Sequence, residues 1–181
     1  MILQIVLGVV AVIMLLVVVV VIVASLQADQ FRIQRSGTMQ VPPEKVFPLL
    51  NDFHEWQRWS PWEKIDPNME RTYFGARSGV GAAYEWKSDK KNVGSGRMEI
   101  LESTAPSGLK IKLDFMVPFE AHNMAEFELV PQGSATQVNW IMSGPRPFML
   151  KIMCLFMSMD KMVGKDFEKG LANLKAEVER G

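Results

Sequence analysis

Twenty residues, Ile5 to Ala24, form an unbroken apolar run dominated by Val, Leu and Ile, and no Lys or Arg occurs before Arg32. At 1.5 Å rise per residue, a helix of that length spans roughly 30 Å, about the hydrocarbon thickness of a bilayer. The β-branched side chains are no obstacle, because in lipid every backbone amide must bond internally and a single segment achieves this only as a helix. A cleaved signal peptide is the competing reading, with Val23 and Ser25 as small residues at a cleavage site. Against it stand the missing basic n-region and a run longer than the roughly 7 to 15 residues of a signal core. Arg32, Arg35 and Lys45 follow the run with nothing basic ahead of it, so the positive-inside rule places the remainder in the cytoplasm. The expected organisation is a single-pass membrane helix with a short linker over residues 1–28 and one domain over residues 29–181.

About 150 residues suffice for one domain with a sizeable core, and are too few for two ordinary ones. Basic and acidic residues balance at 20 each and no long basic block occurs, which argues against a nucleic-acid partner. Cys154 is the single cysteine, so neither an intrachain disulfide nor a thiolate metal set is available; a small buried apolar role fits it.

Phe31, Ile33, Met39 and Val41 share one parity against Arg32, Gln34, Ser36, Thr38 and Gln40, which predicts a half-buried first strand whose inner face is broken by Arg35. Inward, Arg35 needs a carboxylate or an anionic headgroup as partner; a bulge would turn it out to water. Pro42-Pro43-Glu44 opens a short helix, and a second short helical or irregular stretch runs from Asn51 to Trp62. Period-two patterns then predict strands near 69–75, 80–88, 92–103, 108–116, 120–130 and 135–143, clearest where Leu109, Ile111, Leu113 and Phe115 alternate with Lys110, Lys112 and Asp114. After Gly144-Pro145-Arg146-Pro147 a single helix is expected from about 147 to 179. Its inner stripe is Ile152, Phe156, Met159, Val163, Phe167, Leu171, Leu174 and Val178. Gly170 beside that stripe implies a close approach of the helix backbone to a neighbour. From Phe148 to Met159 the helix is apolar on every side, which suits burial on several sides, as a pocket wall, or contact with a bilayer surface.

This order, together with Val41-Pro42-Pro43-Glu44-Lys45-Val46-Phe47, Trp59-Ser60-Pro61-Trp62, Val80 to Trp86, Val93 to Met98 and Gly164-Lys165-Asp166-Phe167 with Gly170-Leu171, resembles the START/Bet v 1-like (SRPBCC) superfamily, in its polyketide cyclase/dehydrase and lipid-transport branch. The resemblance implies an α+β helix-grip: a seven-stranded antiparallel sheet curled around a long C-terminal helix, with two short helices after the first strand and a hydrophobic cavity between sheet and helix. One such fold hosts many activities.

Extending the inward parities gives a lining of Tyr84, Trp86, Met98, Phe115, Asn123, Trp140 and Met142 from the strands. Trp59 and Trp62, at spacing three with Trp56, stand at the expected mouth, and Phe156 contributes from the helix. An apolar lining with few polar groups suits a lipid, sterol, polyketide or other hydrophobic small molecule; the same side chains would equally fill a ligand-free core. The tryptophans would gate the mouth or, alternatively, anchor a connecting segment on the sheet. No His-x-Glu, Cys-x-x-Cys or Gly-x-Ser-x-Gly pattern exists, and His54 and His122 stand outside any triad or ligand spacing, so no catalytic residue, metal or cofactor is assigned. Gly94-Ser95-Gly96 lacks a following phosphate-loop Lys and reads as a strand bulge. Three functions remain open: a membrane-anchored binding module for a hydrophobic molecule, a cyclase/dehydratase-type enzyme, and a ligand-free interaction scaffold, with a membrane protein as a further partner. A linker of about seven residues reaches no more than roughly 25 Å, which favours local extraction or presentation of a ligand over shuttling.

Overall fold

A computed structural model describes residues 1–180. The uncharged run forms helix α1 (Ile2–Ser25), long and apolar enough to cross a membrane, as a membrane anchor or a signal sequence would be. Strand β1 (Gln30–Met39) follows after four residues and ends at the two prolines, where α2 (Pro43–Asn51) starts with Pro at its first position and Glu44 in its first turn. The expected second short stretch divides at Ser60-Pro61 into two single turns, α3 (Trp56–Trp59) and α4 (Pro61–Ile65). Six strands come next: β2 (Glu70–Gly75), β3 (Ala82–Lys87), β4 (Ser95–Thr104), β5 (Gly108–Val117), β6 (Ala121–Gln132) and β7 (Ala135–Pro145). All seven strands form one sheet in the order β1-β7-β6-β5-β4-β3-β2, so the first and last strands meet at one edge.

The expected single C-terminal helix is two. Helix α5 (Phe148–Phe156) ends at Met157, whose backbone is extended (φ −132°, ψ 128°), and α6 (Met159–Val178) begins two residues later. An apolar period passes unchanged through a break of this kind, which is why the stripe alone read as continuous. Contacts divide the chain into two units: Met1–Phe31 with Pro145–Met159, and Arg32–Gly144 with the residues from Asp160 onward.

In the first unit, α5 packs on α1 and the segment behind it. The Lys151 ammonium, on a buried side chain, donates to Asp29 at 2.5 Å, Gln27 Nε2 donates to the Lys151 carbonyl, and the Arg146 amide donates to the Asp29 carbonyl. Burial on several sides, one of the readings the sequence offered for this stretch, fails on one side of α5, where several large apolar residues stand in the open. Cys154 is half-buried rather than enclosed, and its thiol is free.

In the second unit, α6 lays Phe167, Leu171, Leu174 and Val178 on the sheet. Arg35 does face inward and finds carboxylate partners: it donates to Asp160 (2.9 Å) in the first turn of α6 and to Glu168 (2.7 Å) in its middle. Those two hydrogen bonds, to Asp160 and then Glu168, hold its pKa well above the usual arginine value. Ser36 donates to Asn139 and Thr136 to the Val41 carbonyl, so β1 and β7 run antiparallel. The register then puts the start of β1, the end of β7 and the β5–β6 turn at the same end of the sheet. The sheet bends at β4, whose register shifts at Ser95/Gly96 and Ile100/Glu102. At Gly96 a Cβ would stand 2.4 Å from Cη2 of Trp86, so the missing side chain is what lets that indole lie across the strand.

Gly170 shows the close approach that its position implied. A Cβ there would lie 2.6 Å from Cζ3 of Trp140 and 3.2 Å from Cδ of Pro61. Ala in an exposed helix stabilises by about 1 kcal/mol over Gly, but overpacking a filled core costs about 1–3 kcal/mol. Gly170→Ala is therefore expected to lower the melting temperature; a rise would show that Trp140 retreats freely.

Candidate functional site

Sheet register sorts the inward residues into transverse rows. Met98, Leu113 and Asn123 make one, Ile100, Ile111, Ala125 and Met142 the next, and Leu109, Phe127 and Trp140 the third. Of the lining expected from parity, Tyr84, Trp86, Met98, Asn123, Trp140 and Met142 are buried and Phe115 is half-buried, so the strands bring all seven to the inner face. Phe156 is not among them: it is 76% exposed on α5, in the first unit, because the chain breaks at Met157.

The third row carries an aromatic cluster. Trp140 stacks on Phe167 of α6 with centroids 4.1 Å apart and planes 8° from parallel. Trp59 meets Trp140 edge-on at 5.6 Å, and Phe127 lies 4.9 Å from Trp140. Trp56 and Trp59 are buried anchors rather than gates, since their indoles donate to the Leu50 and Leu49 carbonyls of α2, both at 3.0 Å. Trp62 differs. It is half-buried, stands edge-on to Trp140 (5.8 Å) and Phe167 (6.4 Å), and borders the solvent.

Two polar groups lie among these apolar rows, and one of them lacks a partner. The indole Nε1 of Trp140 is buried with no acceptor, and Asn123 is buried in the first row. A buried donor without an acceptor costs about 1–3 kcal/mol. Asn123 and Phe127, the residue opposite Trp140, are four positions apart on β6, or about 13 Å.

A second polar arrangement closes the β2–β3 side, and sequence reasoning missed it. Glu63 of α4 is buried; Arg71 of β2 approaches it to 2.6 Å, and the Tyr84 hydroxyl donates to it at 2.9 Å. Burial, and then the facing carboxylate, hold the Tyr84 phenol well above its usual range, so it stays a neutral donor. Arg71 also donates to the Met69 carbonyl at 2.7 Å, so this group is internally satisfied and clamps α4 to the sheet. The Glu63–Arg71 spacing of eight matches no local pattern; only the return from α4 into β2 joins them.

His122 is exposed on the outer face, where its hydrogen bond to Asp114 (2.8 Å) raises its pKa. His54 leans on Asp52 and stacks on Tyr73 at 4.1 Å. Neither reaches the interior rows, and among the described residues no cluster of His, Cys, Asp and Glu could hold a metal ion. A hollow of about 240 Å³ near the β4–β5 turn is lined by Glu102, Lys110, Glu126 and Glu128 together with turn residues and with Leu109 and Phe127.

A curled seven-stranded sheet gripping an amphipathic helix around an apolar interior defines a Bet v 1-like, or SRPBCC, protein. The chain belongs to the family described as polyketide cyclase/dehydrase and lipid transport, which it matches over residues 30–179. Among solved structures, a Thermobifida fusca protein determined by NMR is 20% identical with a TM-score of 0.61, the match covering 82% of this chain and 93% of that one. SA2116 of Staphylococcus aureus is 13% identical with a TM-score of 0.61, covering 83% and 94%. Ara h 8.0201 is 10% identical with a TM-score of 0.57, covering 84% and 99%. At these identities the likeness is one of fold. No curated protein matches the chain. Family and fold together support binding of a hydrophobic ligand.

Proposed function

We propose that the protein is a membrane-anchored binding module, held by α1 with its helix-grip domain in the cytoplasm, that takes a hydrophobic small molecule between the sheet and α6. The observation that carries this reading is the Trp140 indole N–H, buried without an acceptor in an interior whose other polar side chain along the rows is Asn123. An apolar body roughly 13 Å long with an oxygen acceptor near one end would satisfy the indole and leave its other end beside Asn123. A lipid, sterol or polyketide has that form. Trp59, Tyr84, Trp86 and Phe115 would form the walls, Met98 and Met142 would adapt to the guest, and half-buried Trp62 would swing aside to admit it. The rings now occupy the space in contact with one another, which favours as second reading a ligand-free interaction scaffold. The buried carboxylate beside the lining, Glu63, is already engaged by Arg71 and Tyr84, so binding is preferred over cyclase/dehydratase catalysis.

Native mass spectrometry of the full chain released from detergent tests the proposal. Wild type is expected to carry one hydrophobic molecule per chain. Trp140→Phe keeps the ring but removes the N–H, and is expected to weaken retention about tenfold. Non-specific lipid would adhere to both proteins alike. A bare mass for both, persisting after incubation with membrane lipids, would establish the scaffold reading instead.

A further inference from the structure

Helix α5 turns four large apolar side chains to the outside: Phe148, Met149, Met153 and Phe156. At 100° per residue they fall within an arc of about 140°. Met149 is 69% and Phe156 76% exposed, far more than an ordinary surface helix leaves open. Lys151 lies on the other side of the helix, buried and bonded to Asp29. Asp29 stands four residues past the end of α1 and Gln27, which bonds the Lys151 carbonyl, two residues past it. The 24 residues of α1 measure about 36 Å against a hydrocarbon core of about 30 Å. A spanning α1 therefore ends at headgroup depth, and these bonds hold α5 at that level.

We infer that α5 is an interfacial helix, lying along the bilayer surface with Phe148, Met149, Met153 and Phe156 among the upper acyl chains. The inference rests on the reading of α1 as a retained anchor. It commits to lipid as the occupant because the helix is tied to the segment where a spanning helix must leave the membrane, and because its flanking cation fits. Arg146, directly before the helix-capping Pro147, makes no ion pair among the described residues and its Nε is buried without a partner. A lipid phosphate matches that guanidinium. The proposed consequence is a second membrane contact, made by α5 beside the anchor.

The test uses the full chain with Cys154→Ser and a single new cysteine, Phe156→Cys, carrying an environment-sensitive fluorophore. It is reconstituted in phosphatidylcholine/phosphatidylglycerol vesicles containing a nitroxide-labelled lipid. Quenching of about twofold or more is expected at position 156, and none at Ser134→Cys in the β6–β7 turn. A label at 156 in water, while alkaline carbonate leaves the chain in the vesicles, would overturn the interfacial helix and leave the anchor standing. A label shielded from water yet untouched by the nitroxide would overturn lipid in favour of a protein partner. Release of the chain by carbonate would overturn the anchor, and the interfacial helix with it.

Discussion

Phe167→Ala is expected to lower the unfolding free energy by about 4 kcal/mol, within the range for deleting a buried ring. The Phe167 ring is fully enclosed, lies 4.1 Å from Trp140 in a nearly parallel stack and receives Trp62 edge-on. No backbone adjustment of α6 can close the space, because Gly170 already brings that helix against the Trp140 ring one turn away. Urea unfolding of the full chain in detergent, followed by tryptophan emission, reads the loss directly. A change below about 1 kcal/mol would mean that the stack is not the core of the grip. The vacated space is apolar and dry, so the variant is also expected to take up a small aromatic molecule that wild type refuses.

Glu63→Ala is expected to cost about 2–3 kcal/mol, less than the roughly 3–5 kcal/mol for stranding a fully buried charge, because the Arg71 left behind is half-buried. Arg71 would keep only carbonyl partners and Tyr84 would lose its acceptor. The diagnostic comparison is the double variant Glu63→Leu/Arg71→Met. Removing both charges is expected to recover most of the loss, because a buried pair contributes little net stability against apolar residues of similar volume. If the double variant is as unstable as the single one, the contribution lies in the docking of α4 through its shape and not in the charge pair.

The strands were legible because the sheet has one wet face and one dry face. Leu109, Ile111 and Leu113 against Lys110, Lys112 and Asp114 report that difference residue by residue, and the observed β5 follows it. Inward parity also found Asn123 and Trp140, since a side chain's face is a local property of an extended backbone. The resemblance to the SRPBCC superfamily rested on motifs spread over nearly the whole domain, and the match over residues 30–179 agrees with it. The Trp56-Trp59-Trp62 triplet was visible, but its division into two anchors and one border residue was not. That depends on which indole N–H finds a carbonyl of α2.

The sequence by itself determined where faces and boundaries lie: an apolar run sized to a bilayer, prolines that end β1 and open α2, a seven-strand alternation, and a stripe at helical spacing. These follow from backbone periodicity and from the few residues that restrict φ and ψ, so neighbours along the chain suffice to express them. The tertiary structure alone decided partners. It put Arg35 between Asp160 and Glu168, and it set Glu63 against Arg71 and Tyr84. It broke the last helix at Met157, leaving Phe156 outside the interior that its place on the stripe had suggested. Each of these depends on what another segment brings to the same point in space, and a periodic pattern carries no information about that.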